Sequence, residues 1–112
     1  MGTKKITKEL TEYIKRVKER IDPEKIILYG SFARGEAKDG SDIDLIVISK
    51  FKKIPLKRRF EILYDLHEGL RDNFDFHVYD VTPKQYEKSK PNTIFDDIKR
   101  DGKILYQKSK SE

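Results

Sequence analysis

The sequence contains 112 residues, of which 40% are charged and 36% are hydrophobic. A chain of this length predicts a single domain over residues 1–112 with a small core, so any binding site should be an open cleft. The absence of cysteine excludes disulfide bonds, thiolate metal sites and a cysteine nucleophile. The 25 basic residues exceed the 20 acidic ones and give a net charge of +5, which is compatible with a polyanionic ligand such as a nucleotide or RNA.

The apolar residues occur in short runs. The longest, residues 26–29 and 45–48, have four residues each, so we expect no membrane span, no secretory signal and a cytoplasmic location. Eighteen Lys against two Asn and two Gln resemble the composition of proteins from thermophiles. The Lys/Ser-rich tail from about residue 107 is expected to be flexible.

The first third of the chain predicts a helix, a strand and a short helix. Apolar residues at spacings of three and four predict a helix over residues 7–21, which Asp22-Pro23 ends. An apolar run at residues 25–29, followed by a glycine, predicts a buried strand. Residues 32–37 then predict a short helix. The apolar stripe of the first helix comprises Ile6, Leu10, Tyr13, Ile14, Val17 and Ile21.

The middle of the chain predicts a second strand and a long helix. After a turn at residues 38–41, residues 42–49 are apolar on both faces beyond Asp44, which indicates a central strand. Residues 50–59 hold six basic residues and no acid, and predict either a solvated connection or a surface that meets phosphate. Pro55 is expected to begin a helix with an apolar stripe. That stripe comprises Leu56, Phe60, Leu63, Leu66, His67, Leu70 and Phe74.

The last third predicts a strand, two helices and a final strand. Residues 75–81 alternate as a third strand, and Thr82 to Gln85 has the pattern of a capping box with proline at the first helical position. Residues 92–100 predict a helix that ends at Gly102, and residues 103–106 a last strand. The predicted order is therefore α-β-α-β-α-β-α-α-β, an α/β (α+β) fold class.

Two acidic residues at the start of the second strand, Asp42 and Asp44, form the first part of a candidate site. Residues i and i+2 of a strand point to one face with Cα atoms roughly 6.5 Å apart, so both carboxylates can lean onto one cation. Two hard oxygen ligands suit Mg²⁺, whose other positions are filled by water and substrate phosphates. The pair therefore predicts a magnesium site.

The second part of the candidate site is the turn that follows the first strand. Gly30 can adopt backbone angles closed to other residues, and the turn leads into a helix start that favours anions. The hydroxyl of Ser31 adds a hydrogen-bond donor, and Arg34 adds a positive charge if its side chain turns toward the cleft. These residues predict a phosphate-binding turn.

Gly30-Ser31, ten residues and then Asp42-x-Asp44 resemble the motif of the minimal nucleotidyltransferases, small members of the DNA polymerase beta superfamily. The resemblance extends over about residues 26–86. It implies a mixed β-sheet flanked by helices, with a palm-like fold. It also implies two Mg²⁺ ions, a nucleoside triphosphate donor, in particular ATP, and transfer of AMP to an acceptor hydroxyl with release of pyrophosphate.

The resemblance also implies a third carboxylate on a later strand, and two residues are candidates. Asp75, at the start of the third strand, is the first choice and Asp80 the second. Residue parity allows only one of them to face the cleft on a regular strand, because Asp75 shares a face with His77 and Asp80 does not. In the transfer reaction that the resemblance implies, all three carboxylates hold one metal ion, and Asp42 and Asp44 hold the second. Asp75 takes the proton of the acceptor hydroxyl.

Other polar and aromatic residues receive no role from the sequence. His67 and His77 are interpreted as ordinary packed or half-exposed residues. The tyrosines at helical or strand spacing are interpreted as core residues, and none is assigned to the nucleotide. These are Tyr13, Tyr64, Tyr79 and Tyr86.

Competing functions follow from the same motif. An Asp-x-Asp phosphatase places its nucleophile after an apolar strand, whereas here the two Asp residues precede one, which disfavours this class of enzyme. A sugar transferase with an Asp-x-Asp metal site needs a larger domain than 112 residues provide. The main alternative is a non-catalytic nucleotide-binding or antitoxin-like subunit that binds a protein or RNA. The short chain leaves little room for an acceptor pocket, so we expect a partner subunit, either a HEPN-type protein, as the family implies, or a second copy.

Overall fold

The structure, a computed structural model, describes residues 2–36, 42–50, 54–70, 76–88 and 93–108. Within these residues, five helices and four strands follow one another in the predicted order. The helices are α1 (Gly2–Ile21), α2 (Ser31–Arg34), α3 (Leu56–Asp65), α4 (Pro83–Glu87) and α5 (Ile94–Asp101). The strands are β1 (Lys25–Tyr29), β2 (Ile43–Ile48), β3 (Phe76–Val81) and β4 (Lys103–Gln107). The turn predicted at 38–41 and most of the tail lie outside the described residues.

The four strands form one mixed sheet in the order β3-β2-β1-β4. Strand β1 pairs antiparallel with β2 on one side and with β4 on the other. Strands β2 and β3 are parallel, and their register runs without a shift from Ile43 opposite Phe76 to Ile48 opposite Val81. The mixed sheet implied by the family resemblance is confirmed.

Helices cover both faces of the sheet, and β2 is buried between them. On one face, here called the α3 face, the core joins α1 and α3 to the sheet. On the opposite face, the α5 face, Ile98 of α5 packs on the sheet beside Tyr86 and Phe95. Side chains on the α3 face include Leu10, Tyr13, Val17, Ile26, Leu28, Ile43, Leu45, Val47 and Leu63, and those on the α5 face include Ile27, Tyr29, Ile46 and Ile48. This two-sided burial explains the continuous apolar sequence of β2.

The described part of the apolar stripe of α1, from Leu10 to Ile21, packs against the core as its spacing predicted. Tyr13 and Val17 have no exposed surface, and the Tyr13 hydroxyl donates a 2.7 Å hydrogen bond to the backbone oxygen of Leu63 in α3. The helix ends at Ile21, before Asp22 with a positive φ of 50° and Pro23. No helix among the described residues is both long and apolar enough to cross a membrane.

Two predicted helices are shorter in the structure. Helix α3 ends at Asp65 and turns follow, with Gly69 at φ 78°, so the prediction of a continuous helix toward Phe74 is wrong. Leu70 is nevertheless buried in the same core cluster, so apolar periodicity continues past the end of the helix. Helix α2 ends at Arg34, not at residue 37, because Gly35 adopts the left-handed conformation with φ 76°.

The capping box predicted before α4 is present. The Thr82 hydroxyl accepts from the backbone N–H of Gln85, and the Gln85 side-chain oxygen accepts from the backbone N–H of Thr82. These reciprocal bonds fix the point at which the chain leaves β3 and turns into α4.

Candidate active site

The sheet brings the two parts of the sequence motif together. In the β1–β2 ladder, Tyr29 lies opposite Asp44, so the turn at Gly30 begins directly beside that carboxylate. In the β2–β3 ladder, the residue opposite Asp44 is His77. Asp44 on β2 therefore lies between its neighbours on the two adjacent strands, with the glycine turn after β1 on one side and His77 of the edge strand β3 on the other.

Gly30 approaches the carboxylate of Asp44 more closely than any other residue type would allow. Its φ of 79° is in the left-handed region. A Cβ added at this position would lie 3.2 Å from Cγ of Asp44 and closer still to Oδ2. Glycine at residue 30 is thus required both by its backbone angles and by its contact with the acidic group.

His77 lies between the two carboxylates of the pair. Its Nε2 is 3.5 Å from Oδ2 of Asp42, and its Nδ1 is 4.0 Å from Oδ1 of Asp44. The sequence interpretation gave this histidine no role. The available signal was its odd parity with Asp75, because that parity places His77 on the cleft side of a regular strand if Asp75 lies there.

The surroundings of Asp44 disfavour its negative charge when no cation is bound. Burial raises the pKa of this carboxyl above its usual range, and the neighbouring charge of Asp42 raises it further. His77 and Arg34 act in the opposite direction but do not cancel the effect. A cation that replaced the lost solvent would relieve this cost.

Two tyrosines adjoin the pair on the α5 face. Tyr29 is buried, and its pKa is raised mainly by burial and then by the charges of Asp44 and Tyr79. Its hydroxyl therefore stays neutral beside the carboxylate. Tyr79 shares its strand face with His77 and is 53% exposed, and Tyr64 in α3 is 61% exposed, so the expectation that these two are core residues is wrong. Tyr13 is buried as expected.

Asp80, the second choice for the third carboxylate, lies on the opposite side of the sheet. Its Oδ2 is 2.9 Å from Nε of Arg59 in α3, and both side chains are largely buried. The β2–β3 register has no bulge that would turn Asp80 toward the pair. Asp75, the first choice, lies outside the described residues.

Ser31 and Arg34 both lie in α2, directly after the turn at Gly30, and Arg34 is directed to a group other than Asp44. Ser31 is the first residue of α2 and is partly exposed. Nε of Arg34 is 2.9 Å from Oε1 of Glu36, and both side chains are exposed. Arg34 thus influences Asp44 through its charge, without a direct contact.

The chemistry of the donor set fits a hard divalent cation. Asp42 and Asp44 supply two carboxylates beside Gly30, which has no side chain to block the approach of a substrate. Within the described part of the chain, no three His, Asp or Glu side chains are arranged to hold a metal ion together. A complete site therefore needs substrate oxygens, water or a further carboxylate.

Comparison with known proteins identifies related sequences. The family model described as Polymerase beta, Nucleotidyltransferase matches residues 8–111. A Methanocaldococcus jannaschii protein, provisionally named a protein adenylyltransferase, is 40% identical over 74 residues, which are 64% of this chain and 46% of that protein. Protein adenylyltransferase MntA of Thermococcus cleftensis is 39% identical over 61 residues, 54% of this chain and 60% of that protein. The chain thus matches about half the length of these curated relatives.

Solved structures share the fold. A crystal structure of a toxin-antitoxin with AMP-PNP superposes with a TM-score of 0.64 at 23% identity, over 88% of this chain and 73% of that chain. The toxin-antitoxin MntA-HepT superposes with a TM-score of 0.61 at 20% identity, over 91% of this chain and 73% of that chain. At these identities the likeness establishes the arrangement of helices and strands.

Proposed function

Because the chain belongs to the polymerase beta nucleotidyltransferase family, we propose that it transfers AMP from ATP to a hydroxyl group of a protein, with release of pyrophosphate. The names of the two relatives, both protein adenylyltransferases, support this donor and this class of acceptor. The observation that carries the proposal is the contact of Gly30 with the carboxylate of Asp44, which unites the glycine turn and the acidic pair in one cleft.

The proposed roles follow the position of each residue. Asp42 and Asp44 would hold the metal, and Asp75 would complete the ligand set, since Asp80 is engaged with Arg59 on the other face. Gly30 and Ser31 would meet the triphosphate, with Arg34 adding positive charge nearby. Nucleotidyltransferases of this fold generally use divalent metal ions, and we propose two Mg²⁺ ions here.

The chain's own groups perform three tasks in this reaction. The turn at Gly30 admits phosphate oxygens close to the backbone, because no Cβ is present. Asp42 and Asp44 would hold the divalent cations beside this turn, so that the triphosphate and the acceptor meet in one place. Asp75 accepts the proton of the acceptor hydroxyl. When bound, the divalent ions supply charge stabilisation of the displacement.

A protein partner is part of the proposal. The related solved structures include toxin-antitoxin complexes, among them MntA with HepT. We propose that this chain likewise acts on or beside a partner of HEPN type, as an antitoxin that modifies its toxin. In this proposal the partner supplies the acceptor hydroxyl.

The test is a labelling experiment with α-labelled ATP, Mg²⁺ and candidate acceptor proteins. Wild-type protein should transfer label, and the variants Asp42→Asn and Asp44→Asn should lose at least about 99% of the rate, as expected when a metal ligand is removed. Asp65→Asn, at an exposed position of α3, is the matched control and should retain the rate.

Two results would contradict the proposal. Equal labelling by wild type and both cleft variants would remove the catalytic role of the pair. Metal-dependent ATP binding without transfer to any acceptor would instead support a non-catalytic nucleotide-binding subunit. Parallel reactions with GTP, CTP and UTP would establish the donor.

A further inference from the structure

Helix α3 presents an ordered pair of aromatic side chains to solvent, on the face of the sheet opposite the candidate active site. Phe60 and Tyr64 are each 61% exposed. Their rings are stacked, with centroids 6.4 Å apart and planes inclined by 22°, and His67 packs edge-on against Tyr64 at 4.7 Å. A single exposed apolar residue is ordinary, but two adjacent, mutually ordered rings form a contiguous apolar surface.

This surface is flanked by opposite charges. Lys57 and Arg58 are exposed at the start of α3, and Asp65 and Glu68 are exposed at and beyond its end. Arg58 is partly neutralised by Glu61, whose Oε1 lies 3.3 Å from its Nη1. The α3 ridge, defined here as Lys57, Phe60, Tyr64 and Glu68, therefore has a basic end, an aromatic centre and an acidic end.

The charges of one α3 ridge complement those of a second α3 ridge that runs in the opposite direction. A two-fold axis across the ridge makes two α3 helices antiparallel and brings each Lys57 toward the Glu68 of the other copy. The same axis brings the aromatic centres together, where rings contribute most to association. We propose that the α3 ridge pairs with the α3 ridge of a second copy of this chain.

The size of the ridge sets the strength of the dimer. A ten-residue helix is about 15 Å long, so the contact is smaller than the standard stable interface of roughly 1,600 Å². The dimer is thus weak and reversible, and it dissociates on dilution. Because Asp42, Asp44 and His77 lie on the α5 face, both clefts remain open in the dimer.

The first experiment is sedimentation equilibrium of the full chain at concentrations from about 5 to 500 μM, which covers the micromolar range of weak association. Wild type should change from monomer to dimer over this range. Phe60→Ala combined with Tyr64→Ala should remain monomeric, with circular dichroism showing that it is folded. Ile104→Ala, at a 55% exposed apolar position on β4, is the matched control and should dimerise as wild type does.

The second experiment exchanges the charges. Lys57→Glu and Glu68→Lys should each weaken the dimer about tenfold, because like charges then meet at both ends. The double variant should restore wild-type dimerisation, which only an antiparallel pairing of identical ridges predicts. Monomers throughout the concentration range, a dimer unaffected by the ridge variants, or a double variant as weak as the singles would each overturn the proposal.

Discussion

The backbone of Gly30 and the carboxylate of Asp44 lie so close that residue 30 has no space for a side chain. An added Cβ would lie 3.2 Å from Cγ of Asp44 and closer still to one of its oxygens. The antiparallel pairing of β1 with β2 imposes this approach, because Tyr29 and Asp44 are opposite each other in the ladder. The shape of the proposed phosphate and metal site thus depends on the absence of a Cβ atom at residue 30.

Gly30→Ala should therefore abolish transfer and lower stability. The new methyl group displaces the Asp44 carboxylate, and the positive φ adds backbone strain, together costing about 1–3 kcal/mol of unfolding free energy. The matched control is Gly35→Ala, where φ is 76° but no atom lies within 4 Å of the added Cβ. It should lose about 1 kcal/mol and keep its activity. Urea denaturation and the labelling assay measure the two effects, and equal activity of both variants would contradict the steric argument.

Asp44→Asn should stabilise the metal-free protein at neutral pH. Burial and then Asp42 hold the pKa of Asp44 above its unfolded value, so the folded state binds this proton more tightly. The stability that this proton contributes is complete at low pH and is lost as the pH rises through the folded-state pKa. We expect the variant's melting temperature at pH 7 to exceed that of wild type, with the difference disappearing toward pH 3.

Addition of Mg²⁺ provides the complementary measurement for the same variant. Wild type should gain thermal stability on binding, because the cation compensates the buried charge, while Asp44→Asn should gain little. Asp65→Asn, on an exposed stretch of α3, should behave as wild type in both conditions. A variant that melts below wild type without metal would show that the charge of Asp44 is already compensated within the protein.

The buried ion pair between Arg59 and Asp80 should be essential for stability. Asp80→Asn leaves the Arg59 charge without its partner in a largely buried position, at a cost of about 3 kcal/mol. Arg58→Ala, which breaks an exposed pair with Glu61, should cost about 0.5 kcal/mol or less. Guanidinium denaturation compares them. Similar losses in the two variants would mean that the Arg59–Asp80 pair is effectively solvated.

The hydrogen bond from Tyr13 to the Leu63 carbonyl should contribute to the attachment of α1 to α3. Tyr13→Phe removes the donor and leaves a buried carbonyl without it, at a cost of about 1–2 kcal/mol. Tyr79→Phe, at a half-exposed tyrosine, serves as the control and should change the unfolding free energy by less than about 0.5 kcal/mol. Thermal denaturation of both variants provides the measurement.

The parts of the site that the sequence predicted are those determined locally. Gly30-Ser31 follows an apolar strand, and Asp42 and Asp44 alternate at the start of the next one, so spacing and parity indicate the turn and the acidic pair separately. Their approach to each other depends on the antiparallel pairing of β1 with β2. His77 could not be placed in this way. Its position depends on the parallel register of β2 with β3, which puts it opposite Asp44, and no local pattern encodes that pairing.

The end of α3 shows a second limit of the sequence pattern. The apolar stripe continues past Asp65 because Leu66 and Leu70 still pack on the α3-face core. The spacing of apolar residues indicates which positions are buried. It therefore continues where the chain leaves the helix but still packs on the same core. The local signal for the end of the helix was Gly69, which adopts a positive φ in the turns that follow.

His77 and Asp80 of β3 contact groups on opposite faces of the sheet. Asp80 pairs with Arg59 of α3, while His77 lies beside the acidic pair. Strand β3 therefore carries a largely buried ion pair on one face and a residue of the candidate cleft on the other. Substitutions that shift β3 at Asp80 are therefore expected to move His77 as well, although they lie on the face of the sheet opposite the cleft.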